Sequence, residues 1–410
     1  MADHELSRLL LSLVLLLSFS LGIGHIFSAF RLPRVIGEIC AGILLGPSLL
    51  GAVSPEVYTW IFNGFAEQDK LLSVFYWLGL ILLMFTAGFK ISTSFNKDDK
   101  WLLCLLILGG LGLPFLFGWI AAPMLPNKAS ANPLAFALVI AVASAVTSIP
   151  VITRIFIDLE MITSRFAKVV LSAAAIQDIG LWIVLSIALS IQQGQPENQV
   201  GVAELTPIFL GTIVYGVTAV FIAPVILRLA ARVVISKSPD ASLLGYTLLV
   251  CMVLVSIASV LHVNIIFGAL LAGVVIGRLP GRKLDLVRQN ISSVSIWFFV
   301  PVYFSLVGLQ MDLPRNFSPS IIFGFLVFSS LVKVLSVVIF LKFAKVSWMR
   351  ALDFGVTMNA RGGPGIVLAT VAYAAKIIDE NIFVVLVLVS IMTSLLAGIW
   401  LRVRRPSILN

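Results

Sequence analysis

The sequence has very little charge. Only 11% of its 410 residues are Asp, Glu, Lys or Arg, against 60% hydrophobic, and the mean hydropathy is +1.09. Such a chain cannot cover a surface facing water, which excludes a soluble domain of this length. Histidine and cysteine are scarce, with three of each. Cys40, Cys104 and Cys251 stand far apart in apolar runs, without disulfide or metal-site spacing, and are read as packing residues. No nucleophile, histidine and acid fall together, so nothing points to an enzyme or a resident cofactor. The net charge is +9, but the basic residues are dispersed among apolar runs instead of forming one face, which argues against a nucleic-acid partner.

What the sequence has is long apolar runs. About 20 such residues span the hydrocarbon core of a bilayer. Cutting at polar, Pro-rich or Gly-rich breaks gives thirteen candidate spans, centred near Leu16, Leu44, Leu80, Gly110, Ala145, Leu181, Val217, Met252, Leu270, Phe299, Ser330, Gly362 and Val389. The first run lacks a small-residue cleavage site and is read as a retained helix. Of the 28 Lys and Arg residues, 21 fall on one set of alternate loops and five on the other, with Lys333 and Arg361 inside spans. The excess predicts a multi-pass protein of the cell membrane with its amino terminus outside and its carboxyl terminus in the cytoplasm.

An internal repeat is suggested by "GEICAGILLG" from Gly37 and "GALLAGVVIG" from Gly268, in which Gly, Ala, Gly and Gly recur at the same four places. Spans seven apart then correspond, and an odd offset makes the two copies inverted, the sequence mark of secondary transporters. The fifth and twelfth spans should both be interrupted, and both look so. In "AVASAVTSIPVITRIF", Pro150 has no N–H for Val146, and Ser144, Thr147 and Ser148 crowd the break. In "GVTMNARGGPGIVLATVAY", Asn359, Arg361, three glycines and Pro364 stand where a lipid-facing helix has leucine. The "GGPG" stretch is no nucleotide loop, because neither a preceding strand nor a following Lys-Ser/Thr accompanies it.

Asp178, in "LSAAAIQDIGLWIVLSIAL", lies ten residues past Lys168, about 15 Å along a helix and so near the bilayer midplane. A carboxylate there costs about 3 kcal/mol or more unless it works or is paired. It can hold a proton or a cation by turns; the alternative is an aspartate bonded for helix packing. Gln177 offers a carbonyl ligand and an amide donor, and Thr147 and Ser148 offer hard oxygen ligands for an alkali cation, unless those hydroxyls only bond back to their own helix. Lys333 can stand in as a positive charge beside Asp178 or snorkel to the interface. Arg361, with Asn359, can compensate the charge at broken-helix ends. Glu38 follows Arg34 by four residues, and a local ion pair accounts for it. His25 and His262 lie near span ends, where polar side chains are unexceptional.

The segments "LPRVIGEICAGILLGPSLLG", "LGLILLMFTAGFKIS", "AAIQDIG" and "FVPVYFSLVGLQMDL" resemble, in order, the second, third, sixth and tenth spans of the second monovalent cation:proton antiporter superfamily, which includes Kef-type and Nap-type antiporters. The resemblance covers nearly the whole chain. It implies an all-α fold of 13 helices with crossing broken helices at spans 5 and 12, and a homodimer. Residues 1–95 and 243–312 would form the dimerisation scaffold, 101–192 and 318–402 the ion-transporting core, and 205–235 a linker helix. It puts the ion-binding aspartate on Asp178, the neighbour that is a second Asp in electrogenic members on Gln177, the basic residue of the eleventh span on Lys333, and the unwound fifth-span segment on Thr147 to Pro150. The chain departs from the Kef pattern by ending at "RVRRPSILN", so no soluble C-terminal regulatory domain is expected, while a separate soluble regulatory subunit stays open. The reading is an electroneutral K⁺/H⁺ or Na⁺/H⁺ exchanger. A sodium-coupled symporter of organic anions and a non-transporting sensor are its alternatives.

Overall fold

The computed structural model describes residues 3–30, 34–89, 100–127, 129, 132–193, 214–216, 218, 240–261, 263 and 265–409. Among these every regular element is helical: α1 (Asp3–Ala29), α2 (Arg34–Leu45), α3 (Leu50–Val53), α4 (Pro55–Phe62), α5 (Gln68–Phe89), α6 (Lys100–Ala121), α7 (Pro133–Ala145), α8 (Ile149–Asp158) and α9 (Arg165–Gln193), then α10 (Asp240–Val260), α11 (Ile265–Gly277), α12 (Arg282–Val294), α13 (Val300–Leu309), α14 (Leu313–Asn316), α15 (Pro319–Phe343), α16 (Trp348–Met358), α17 (Gly362–Ala374) and α18 (Glu380–Leu409). Nine helical stretches among the described residues are long and apolar enough to cross a membrane, and α7, α11 and α17 are shorter apolar helices. The candidate span around Val217, with the 205–235 linker, lies largely outside the described residues, as does His262.

The helices group into two units. The first holds α1 to α5 and α10 to α13. Its close contacts repeat. A Cβ on Gly42 of α2 would collide with the Ser305 carbonyl of α13, and one on Gly308 with the Ile39 carbonyl. In the same way a Cβ on Gly273 of α11 would collide with the Phe85 carbonyl of α5, and one on Gly88 with the Leu270 carbonyl. The two glycine pairs, Gly42 with Gly308 and Gly273 with Gly88, therefore bring two helix pairs together by the same contact, because only glycine lets helix backbones approach this closely. Gly42 and Gly273 are the third matching positions of the sequence repeat. Between α12 and α13 the chain forms a π turn over Ser295–Phe299, just ahead of Pro301, which has no N–H to continue the α pattern.

Two local expectations are corrected. Arg34 forms no ion pair with Glu38. Its guanidinium lies over the Trp297 ring, 4.3 Å from the centroid, and Glu38 Oε2 is buried without a hydrogen-bond partner. Cys104, in the second unit, is exposed instead of packed, on an apolar helix face.

The second unit holds α6 to α9 and α14 to α18. Leu106, Phe156, Phe166, Val170, Val337, Leu341, Phe354 and Met358 form a continuous core joining α6, α8, α9, α15 and α16. The connections segregate to two ends. At one end Asn127, between α6 and α7, donates to Ile377 O and accepts from Asp379 N, between α17 and α18. At the other, Asp353 of α16 and Glu160 after α8 meet Arg404 and Arg405 of α18.

Candidate functional site

Two interruptions meet inside the second unit, and the proline chemistry of the sequence explains both. Asn132 caps α7, accepting from Leu134 N and Ala135 N, and the helix ends at Ala145 with Val146 extended. Pro150 is tolerated in the first turn of α8, where an N–H would be unused, but it leaves the Val146 carbonyl without its helical donor. Likewise Pro364, in the first turn of α17, leaves the Ala360 carbonyl free. Ser148 N–H donates to that carbonyl at 2.6 Å, and the Thr147 hydroxyl donates to Met358 O at 2.8 Å. Gly362, at φ +40°, opens α17. A Cβ there would lie 2.8 Å from Ser148 Oγ and would collide with Val151.

Two buried cations serve the carbonyls that remain. Lys333, 0% exposed on α15, donates to Ala145 O at 2.5 Å, Val146 O at 2.8 Å and Thr147 Oγ1 at 2.6 Å. An ammonium has three N–H groups, and here all three have acceptors. The C-terminal end of α7 carries negative partial charge, so the cation also neutralises that end. Arg361 donates through Nη1 to Ser329 Oγ at 2.7 Å, and through Nη2 to Ser144 O and Asn359 Oδ1 at 3.3 Å each. Asn359 Nδ2 in turn donates to Ser330 Oγ.

Asp178 and Gln177 sit side by side on α9 and do different things. Gln177 is 0% exposed; its Nε2 donates to the Leu106 and Ile107 carbonyls of α6 at 3.2 Å each, and its Oε1 lies 3.3 Å from the Thr147 hydroxyl. Asp178 is 7% exposed, and its Oδ1 is buried with no hydrogen-bond partner. Lys333 acts on it through space. Among the described residues no ion pair joins the two.

The structure thus gathers Thr147, Gln177 and Lys333 into one hydrogen-bonded cluster and Asn359 and Arg361 into a second, with Ser148 tied by its backbone to Ala360 and Asp178 next to Gln177 with a carboxylate oxygen outside both clusters. Sequence reasoning missed Ser329 and Ser330, which lie four and three residues before Lys333 and so share its helix face. It also missed Asp353. That carboxylate is 1% exposed and takes Arg404 Nε at 3.0 Å, Arg404 Nη2 at 3.2 Å and Trp400 Nε1 at 3.0 Å. No local pattern links positions about fifty residues apart.

The sodium/hydrogen exchanger transmembrane family model matches residues 14–403. The Na(+)/H(+) antiporter NhaS4 of Synechocystis is 27% identical, the match covering 97% of each chain. The K(+)/H(+) antiporter 1 of Saccharomyces cerevisiae is 30% identical, over 90% of this chain and 43% of that protein. The chain spans about half the length, or a little less, of several curated relatives that it matches. The solved sodium proton antiporter MjNhaP1 of Methanocaldococcus jannaschii has the same fold, with a TM-score of 0.68 at 15% identity over 99% of this chain and 98% of that one. The apolar helices and these relatives make the chain a multi-pass membrane protein. With the family match running over nearly its full length, the chain belongs to the sodium/hydrogen exchanger family.

Proposed function

We propose that the protein exchanges a monovalent cation, Na⁺ or K⁺, for H⁺, with Asp178 binding the two by turns. One observation carries this reading: a carboxylate oxygen buried without a partner, next to Gln177 and beside two interrupted helices whose freed carbonyls are taken by Ser148, Lys333 and Arg361. Glu38 Oε2 is also unpartnered, but only Asp178 stands beside the two interrupted helices. A desolvated carboxylate without a partner is stabilised by whichever cation arrives, proton or alkali metal.

The three acceptors on Lys333 support a fixed role for it in this state, holding the end of α7 and leaving Asp178 free. Gln177, with both N–H groups spent on α6, acts first as a holder of α9 and has one carbonyl lone pair to lend a cation. The Thr147 hydroxyl oxygen lies 3.3 Å from that carbonyl, and Ser148 is offered as a further oxygen ligand. With one ionisable carboxylate in the exchange, one proton leaves for each cation bound, and the cycle is electroneutral. We read the chain as thirteen spans in an inverted repeat with α7–α8 and α16–α17 as crossing broken helices, the first unit a dimerisation scaffold and the second a core that moves against it as an elevator. The duplicated glycine contacts support the repeat. The protein lies in the cell membrane with the basic loops in the cytoplasm, as a homodimer serving pH homeostasis.

Everted vesicles loaded with a pH dye test this. Adding NaCl or KCl should alkalinise the lumen, and Asp178→Asn should abolish the response. A response that survives the substitution places the exchange site elsewhere. Cation-driven solute uptake without proton counterflow would favour a symporter.

A further inference from the structure

A cavity of about 520 Å³ opens at the end of the second unit where α6 and α9 begin and α15 hands over to α16. Arg165, Lys345 and Arg350 line it with Trp101, over the buried ring of Phe166, and no acidic residue is among the described lining positions. The antiport chemistry uses none of these groups, and three cations beside a cavity would repel an incoming alkali ion.

The chain is arranged locally to put positive charge there. After α15, Val346 N–H bonds to Leu341 O and Lys345 N–H to Lys342 O, the paired bonds of a helix stop whose central position favours glycine. Lys345 occupies that position at φ +58°, at a cost of about 1 kcal/mol relative to glycine. Ser347, also in the lining, precedes the 11-residue helix α16 without capping it through its side chain, so the first N–H groups of that helix add to the positive field. Trp101 is 61% exposed, and Phe343 and Trp348 are 68% exposed, beside the cations. Exposed aromatic side chains next to Lys and Arg mark the depth of lipid headgroups.

We propose that this cavity binds the phosphate headgroup of an anionic phospholipid, with Lys345 and Arg350 on the phosphate and the glycerol and first acyl carbons along Trp101. Charge complementarity selects a phosphate, and the exposed Trp101 face selects an amphiphile over a free anion. Basic pockets between membrane helices recognise headgroups in this way. Assigning the lipid to the cytoplasmic leaflet rests on the orientation proposed above; binding itself does not.

The test is thermal unfolding of the purified full chain in a neutral detergent, with four additions: dihexanoyl phosphatidylglycerol, dihexanoyl phosphatidylcholine, glycerol 3-phosphate and inorganic phosphate. Phosphatidylglycerol alone should raise the midpoint, by about 3–5 °C at a hundredfold excess over its dissociation constant. The double variant Lys345→Gly, Arg350→Gln should lose that rise. Glycine suits the left-handed position, so the variant should still fold, and its own unliganded midpoint serves as the check. An equal rise with inorganic phosphate would reassign the cavity to a soluble anion. An equal rise with phosphatidylcholine, a rise that persists in the double variant, or no rise at all would overturn the proposal. Since the readout is binding, failure of cation exchange in vesicles would leave this result standing and count only against the transport reading.

Discussion

Gly110 of α6 faces the side-chain amide of Gln177: a Cβ on Gly110 would lie 2.5 Å from Gln177 Nε2. The missing side chain is the room in which that amide reaches two α6 carbonyls and holds α9. Adding a methyl should displace the amide and rotate the neighbouring Asp178. Gly110→Ala is therefore expected to raise the cation concentration needed for half-maximal vesicle alkalinisation, with an overpacking cost of about 1–3 kcal/mol. Shortening the amide in the double variant Gly110→Ala, Gln177→Asn should recover part of the loss. Strict additivity of the two substitutions would show that the residues do not act through each other.

Asp178 should separate activity from stability. Its Oδ1 has no partner to lose, so Asp178→Asn is expected to abolish exchange while leaving the thermal midpoint in detergent unchanged or higher. A clear drop in the midpoint would mean that the carboxylate is a structural group.

Lys333 should behave in the opposite way. Lys333→Met leaves the Ala145 and Val146 carbonyls without this donor, at about 1–3 kcal/mol for each buried group left unpaired, and takes one bond from the Thr147 hydroxyl. The variant should unfold at a markedly lower temperature than Asp178→Asn. If the two variants have equal stability, the three bonds are not worth what their geometry implies.

The left-handed opening of α17 gives a further test. Gly362→Ala forces a Cβ against Val151 and Ser148 at a positive φ, and should cost about 2–4 kcal/mol from strain and overlap together. Exchange should fall with it, because the Ser148 to Ala360 bond lies at the same point. Circular dichroism melting of the detergent-solubilised variant, beside its vesicle response, reads both.

Two ion pairs at one end of the second unit should differ sharply. Asp353→Ala removes a buried carboxylate that takes three donors, leaves Trp400 Nε1 without its acceptor, and should lower stability clearly. Glu160→Ala breaks an exposed pair with Arg405, whose side chains are 80% and 39% exposed, and should change stability by roughly 0.5 kcal/mol or less. Chemical or thermal denaturation of the two variants side by side decides it.

Much of this site could be read in advance wherever the signal is covalent. Pro150 and Pro364 lack an N–H in any fold, so each must free a carbonyl and interrupt its span. The spacing of Gly37, Gly42, Gly268 and Gly273 marks close helix contacts for the same reason, since a missing Cβ is a property of the residue. By contrast, nothing local says which donor takes a freed carbonyl. The sequence reading offered Lys333 as a charge partner for Asp178; it acts on that carboxylate through space, while its three N–H groups go to Ala145, Val146 and Thr147. It paired Arg34 with Glu38 by their spacing, whereas the aromatic face of Trp297 takes the guanidinium.

By itself the sequence determined that the chain lives in lipid, where two of its spans break, and that one carboxylate must be accounted for near the middle of an apolar helix. Scarce charge, missing N–H groups and helical rise fix these without reference to any neighbour. Only the tertiary structure decided that the two breaks bond to each other, that Lys333 and Arg361 serve backbone and hydroxyl oxygens, and that Asp178 keeps an oxygen unpaired. Hydrogen bonds between residues 30 to 217 positions apart depend on which helices pack together, and packing is settled by the whole unit at once.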